Sequence, residues 1–442
     1  MGFPEPEPEP KGLVAMQQQQ EPARASVVSV LNLDQAHLAT VDRLLRETKA
    51  KARHANKVWL LTDQLLRRDI WCHIHSLMPL RDAARAACVS RAFKFSWRCY
   101  PKLTFSEETL GLDGHVNRNA DARAFTTKVD HILEKHSGVG IKTLELLGAL
   151  DYNAKDRWYL DKWLQMAITP VLEELWLYLS SVNNKHCEKI SCLAIPCLLL
   201  RLNYLEVLYC KNLRIIENKA PNLTHFTLVE CKSLQVQLSH LASSQMKSVC
   251  MDCPGVIGYI RAKLASSMPN LQSLLIYSSE MVDAPMSSKF LHLKYLNIIL
   301  RRGTFSLSYD YLSLASFLGA SPSLETFILD VWEPRMEHVS ASTDLSEPRE
   351  MPGHNHGKLK NVRIDGFYST KSLIELACHI VHIATSLESL ILDTRDRPRE
   401  IFYFGTRREN ILKSRRALVA IQTYIRPKVP STVQFLVLEP CN

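Results

Sequence analysis

The chain of 442 residues carries 54 Lys and Arg against 45 Asp and Glu, a net charge of +9, and 46% of its residues are hydrophobic. That size and apolar content suffice for a large core. The 15 glycines and the lack of a Gly-rich phosphate loop, a nucleophile elbow or a metalloprotease helix argue against nucleotide-binding and hydrolytic enzymes, and no apolar run approaches the ~20 residues that span a bilayer. Twelve cysteines are scattered without a framework and read as reduced, buried, small hydrophobes. Cys250-Met251-Asp252-Cys253 has no second pair near it with zinc-site spacing, so neither a metal nor any other cofactor is expected. The opening Met1-Gly2-Phe3 and its Pro-Glu repeats lack the basic and apolar regions of a secretory signal, and the expected location is the nucleus and/or the cytoplasm.

Residues 1–33 combine Pro-Glu repeats with Gln17 to Gln20 and offer too little apolar surface to order, so a disordered tail is expected. In 34–59, Leu38, Val41, Leu45 and Thr48 mark one amphipathic helix. The segment 60–105 then holds two short helical patterns: Leu66, Ile70, Ile74 and Leu77 stop at Pro79, and Ala86, Val89, Phe93 and Trp97 share a face behind Asp82, a candidate cap. Neither helix can bury its apolar face alone, which implies a partner. The basic excess sits here too, since Arg43 to Arg98 holds thirteen Lys and Arg against four Asp and Glu. A nuclear-import patch at Lys49-Ala50-Lys51-Ala52-Arg53 is weak because its bases are interrupted, and no nucleic-acid module accompanies them.

The order Pro79-Leu80-Arg81-Asp82, Val89-Ser90-Arg91, then Phe93 and Trp97 resembles an F-box. The resemblance implies docking to a Skp-type adaptor and, through it, a cullin. The adaptor-facing residues would be Leu66, Ile70, Ile74, Leu77, Pro79, Leu80, Val89, Phe93 and Trp97. Skp-type adaptors are acidic, so the basic segment would steer the encounter. Arg67 stands where this family has a proline that presets the first helical turn. A plain helical hairpin capping the following domain is the competing reading.

A linker over 106–135 leads to a repeat that fills 136–442. Its template, apolar-x-x-apolar-x-apolar, starts at Ile141, Leu172, Leu202, Leu223, Met246, Leu271, Leu293, Leu324, Leu359, Leu387 and Val433. Spacings of 21 to 46 residues centre on leucine-rich-repeat lengths, and the segments 257–268 and 373–383 carry helical spacing. The expected fold is therefore α/β: an irregular leucine-rich-repeat solenoid preceded by a small all-α F-box. Residues 333–357, with three prolines and five acidic side chains, read as an inserted loop that can be deleted, and His354 and His356 as solvated. The whole resembles cereal-type plant F-box proteins with irregular leucine-rich repeats.

These features predict the non-catalytic substrate-recognition subunit of a Skp–cullin–F-box ubiquitin ligase, binding a protein substrate. They leave open an interaction scaffold with a degenerate F-box and no ligase assembly. Neither a membrane nor a nucleic acid is an expected partner. Alternation along each strand sends the third, fifth and seventh template positions away from the core. That rule places Trp176, Tyr178, Tyr204, Glu206, Tyr277 and Tyr295 on the concave strand face as candidate substrate-binding residues.

Overall fold

The computed structural model describes residues 43, 46–47, 70, 73–74, 76–78, 80–89, 98, 100–112, 118–136, 140–150, 156–167, 169–181, 192–195, 199–210, 215–229, 244–279, 285–301, 310–332, 349, 355–395 and 407–440. The chain forms two compact units, Met1–His73 and Ile74–Asn442. In the first, Arg43, Arg46 and Glu47 are helical, with an exposed Arg43–Glu47 ion pair at 4.0 Å, and Ile70 is helical and 56% exposed.

In the second unit every template match falls on a strand, because the inward apolar residues must find cover and only stacking on neighbours supplies it. The strands in chain order are β1 Lys102–Ser106, β2 Thr143–Leu150, β3 Glu174–Ser181, β4 Cys192–Ile195, β5 Tyr204–Leu208, β6 Ile215–Asn218 and β7 His225–Val229. They continue as β8 Ser248–Asp252, β9 Ser273–Ser278, β10 Tyr295–Leu300, β11 Thr326–Val331, β12 Asn361–Asp365, β13 Ser389–Asp393 and β14 Gln434–Leu438. Twelve of them form one parallel sheet, β1-β2-β3-β5-β7-β8-β9-β10-β11-β12-β13-β14, while β4 and β6 pair with each other. From β1 to β13 the register keeps equivalent template positions side by side, as in Leu205↔Phe226 and Leu274↔Leu296. The match begun at Val433 is corrected by one residue, since Phe435 and Val437 pair with Leu390 and Leu392 and pack on the core while Leu436, expected inward, is 44% exposed. All eleven template starts are buried, among them Leu172, Leu202 and Leu293.

Parallel neighbours need a return segment. Helices at Arg118–Lys135, Asp156–Ala167, Ala315–Ala320, Lys371–Ile383 and Arg407–Ala420 serve, together with a helical run over 256–267 that widens to a π turn at Ile260–Leu264. Arg118–Lys135 lies so close to β2 that a Cβ on Gly148 would sit 2.6 Å from the Phe125 ring. Gly366, after β12, has φ +67 and would place a Cβ 2.2 Å from the Val331 carbonyl oxygen, so this turn requires glycine.

The residue just before a template start adds a polar staple between units. Asn222 Nδ2 donates to the Leu200 carbonyl at 2.7 Å, Asn270 Nδ2 to Ser244 at 2.8 Å, Ser323 Oγ to Leu291 at 2.7 Å and Ser386 Oγ to Gly357 at 3.0 Å. Each acceptor lies two residues before the preceding unit's template start, which gives the Pro-Asn-Leu and Pro-Ser-Leu runs their physical sense. Asn270→Ala is expected to lower stability by about 1 kcal/mol, read as a fall of about 2 °C in Tm by calorimetry.

Several sequence expectations are corrected. The sheet begins earlier than the repeat template did: Tyr100, Leu103 and Phe105 obey it and make β1 across the end of the segment 60–105 assigned to the F-box. Much of the segment 106–135 read as linker is the packed helix Arg118–Lys135, whose Phe125, Val129 and Leu133 are buried. Asp82 does not cap a helix; it lies in the first turn of Leu80–Val89 and pairs with Arg85 at 3.5 Å. His356 is buried rather than solvated, its Nε2 2.9 Å from the Ser321 carbonyl and its Nδ1 accepting from Leu359 N at 3.1 Å. His354 lies outside the described residues.

Candidate recognition face of the sheet

Alternation makes the outer face of the sheet. In β3, Leu175 and Leu177 are buried while Glu174, Trp176 and Tyr178 are half-buried on the other side. The same pattern turns Tyr204, Glu206, Tyr277 and Tyr295 outward, so all six candidate residues lie on the expected face. They do not form one cluster. Trp176 and Tyr204 stack with centroids 4.6 Å apart, and Tyr204 continues to His225 at 6.2 Å. Tyr178 packs on Tyr209 at 4.8 Å. Tyr277 is four strands from Trp176, about 19 Å at normal strand spacing, and Tyr295 sits one strand further, between Ser273 and Thr326.

The first cluster centres on a carboxylate. Tyr204 Oη donates a short hydrogen bond to Glu206 Oε2. Burial raises both the Tyr204 phenol and the Glu206 carboxyl above their ordinary values, and for Tyr204 the hydrogen bond to Glu206 adds to the rise. Beyond Thr227 in the same row comes Cys250, whose thiol is pushed up to about 12, chiefly by burial, with the Glu206 and Asp252 carboxylates adding to it. A thiol held neutral in this way is no nucleophile at neutral pH. Cys253 is buried on the core side, so the two cysteines do not converge on one site.

Sequence reasoning missed the second cluster. Arg301 Nη1 donates to Asp252 Oδ2, and the same guanidinium lies 4.4 Å over the Tyr277 ring and 5.6 Å from Trp332. Arg301 and Trp332 stand at the ninth template position, past the seven that alternation was applied to. His225 and Asp252 occupy third and seventh positions, so the rule reaches them once polar side chains are admitted. Further along, Asp330, Asp365 and Asp393 align on adjacent strands; Arg363 pairs with Asp365 at 2.9 Å and Arg395 with Asp393 at 2.8 Å.

Of the candidate adaptor residues, Ile74 is 39% and Leu77 74% exposed. Leu80 is partly buried against the core beside the fully buried Ala83, which fastens the helix Leu80–Val89 to the repeat unit; Tyr100 Oη also donates to the Met78 carbonyl. Leu80 thus shares its surface with the repeat core. Leu66, Pro79, Phe93 and Trp97 lie outside the described residues, as does the Val89 side chain.

A family model described as At1g61320/AtMIF1, LRR domain, matches residues 132–186 and 179–442. The chain belongs to this plant leucine-rich-repeat family. No curated protein matches it. The matched leucine-rich-repeat domain takes in all strands from β2 to β14, and a repeat domain of this kind is a protein-interaction fold. Among the described residues no helix is long and apolar enough to cross a membrane, and no group of three His, Cys, Asp or Glu could hold a metal ion.

Proposed function

We propose that this leucine-rich-repeat protein is the substrate-recognition subunit of a Skp–cullin–F-box ubiquitin ligase, acting in the nucleus and/or the cytoplasm. The reading rests on the motif over 66–97, in which Pro79-Leu80-Arg81-Asp82 precedes Val89-Ser90-Arg91 and Trp97. Exposed Ile74 and Leu77 supply apolar surface for the adaptor. The outer sheet face supplies aromatic anchors of the kind that dominate protein interfaces. Such a subunit needs no catalytic group and no cofactor; it contributes proximity by holding a substrate lysine near a charged ubiquitin carrier. The basic charge over 43–98 favours fast encounter with an acidic adaptor.

The test is co-purification with adaptor and cullin. Ile74→Asp with Leu77→Asp should abolish adaptor binding and leave the fold intact, because both side chains already face solvent. Undiminished recovery of the adaptor by the double variant would overturn the assignment. Two observations favour the scaffold reading instead: Arg67 in place of proline, and the seating of Leu80 and Ala83 on the repeat core. If the ligase reading holds, Arg67→Pro should tighten adaptor binding about fivefold. A wild-type chain that captures no adaptor at all would leave the scaffold.

A further inference from the structure

The outer face of the sheet differs in charge from the chain that carries it. Its strand positions and the residues just beyond them carry seven carboxylates, the half-buried Glu145, Glu174, Glu206 and Asp252 and the buried Asp330, Asp365 and Asp393, against Lys102, Arg301, Arg363 and Arg395. The face is thus net acidic on a protein of net charge +9. Most of these acids have a cation: Lys102 lies 2.9 Å from Glu145, Arg301 holds Asp252, and Arg363 and Arg395 hold Asp365 and Asp393. Glu206 has none among the described residues, and Tyr204 Oη is its hydrogen-bond donor. It sits between Trp176 and Thr227 in register, half-buried, and burial already opposes its charge. A partly desolvated carboxylate beside an aromatic stack gains most from an incoming cation.

The protein already contains the geometry that such a cation would adopt. Arg301 holds its guanidinium 4.4 Å over Tyr277 and 5.6 Å over Trp332 and donates to Asp252. We propose that the face from β3 to β9 binds an extended basic protein segment, with an Arg or Lys of that segment on Glu206 beside the Trp176–Tyr204 stack. The roughly 19 Å between the two aromatic clusters matches about six residues of extended chain. An acidic segment would meet Glu174 and Glu206 with Arg301 already neutralised, so the sign of the partner is set by the face itself. The proposal rests on reading this face as the recognition surface and does not require ligase assembly.

The test uses the full chain and a fluorescein-labelled nonapeptide repeating Arg-Ser-Lys, with its twin repeating Glu-Ser-Asp, in fluorescence anisotropy. The basic probe should bind saturably, weaken as salt is raised, and shift Trp176 emission; the acidic twin should not bind. Glu206→Gln, which keeps the shape and removes the charge, should weaken the basic probe about tenfold. Glu388→Gln, an exposed carboxylate paired with Lys360 and lying before β13, should leave it unchanged. Absence of saturation, tighter binding of the acidic twin, or equal loss in the two variants overturns the proposal. So does sedimentation showing that the chain covers this face with the 43–98 segment of a second copy and self-associates. Proximity labelling separates the two levels. If Trp176→Ala changes the partner set while the basic probe does not bind, the recognition face stands and the basic class falls. If Trp176→Ala changes nothing, the face itself is refuted.

Discussion

Leu274→Asp is expected to unfold the middle of the sheet. Leu274 is fully buried in β9, in register with Val249 on one side and Leu296 on the other. A carboxylate there has no cation and no water, a penalty of several kcal/mol against a total stability of about 5–15 kcal/mol. Because each unit buries its leucines only against its neighbours, the loss should spread: amide protection in hydrogen-exchange mass spectrometry should fall in β8 and β10 as well as β9. Leu275→Asp, one residue on, points outward and should keep protection near wild type, since a shift by one residue along a strand exchanges faces. Loss confined to β9 in the first variant would mean that the units are energetically independent.

Arg349→Ala is expected to destabilise the protein by about 3–5 kcal/mol. The Glu375 side chain has no exposed surface, and its charge is met by Arg349 through Nε at 2.9 Å, Nη2 at 2.6 Å and the backbone N–H at 2.9 Å. The same guanidinium holds Asp310 at 2.9 and 3.0 Å, tying three separated stretches of chain together. Those two carboxylates raise the Arg349 guanidinium well above its ordinary value. Removing Arg349 leaves a buried charge uncompensated; Arg349→Ala with Glu375→Leu removes that charge as well and should recover most of the loss, which chemical denaturation of the single and double variants measures. Deletion of 335–355 takes Arg349 with it and should destabilise to a similar degree, contrary to the expectation of a dispensable loop. Full retention of stability in Arg349→Ala would refute the clamp.

The Arg349 clamp was not legible in the sequence for a physical reason. Composition over 333–357 reports that few apolar residues are available for a core, and it is silent about a single charge whose partner lies 26 residues away. His356 shows the same gap, because a polar neighbourhood in sequence does not reveal a buried carbonyl 35 residues back. The Pro-Asn-Leu runs were visible as a pattern, but their meaning as inter-unit staples required the acceptor carbonyls of the preceding unit. β1 was legible in principle, since Tyr100, Leu103 and Phe105 satisfy the template; counting from Ile141 onward passed it by.

The template by itself determined the repeat fold and, from β2 to β13, the face to which the side chains of each matched strand turn, because a two-residue period has only two outcomes and burial of three apolar residues selects one. At β14, the last strand of the sheet, the template match from Val433 selected the wrong one, and Phe435 and Val437 face the core instead. The template placed Trp176, Tyr204 and Glu206 outward correctly. Tertiary structure decided which of these groups meet: Trp176 reaches Tyr204 because β3 pairs β5, past β4, and Arg301 reaches Asp252 across 49 residues because three adjacent strands bring their ends together. Those contacts depend on sheet order and on the length of each return segment, quantities that a local period does not encode.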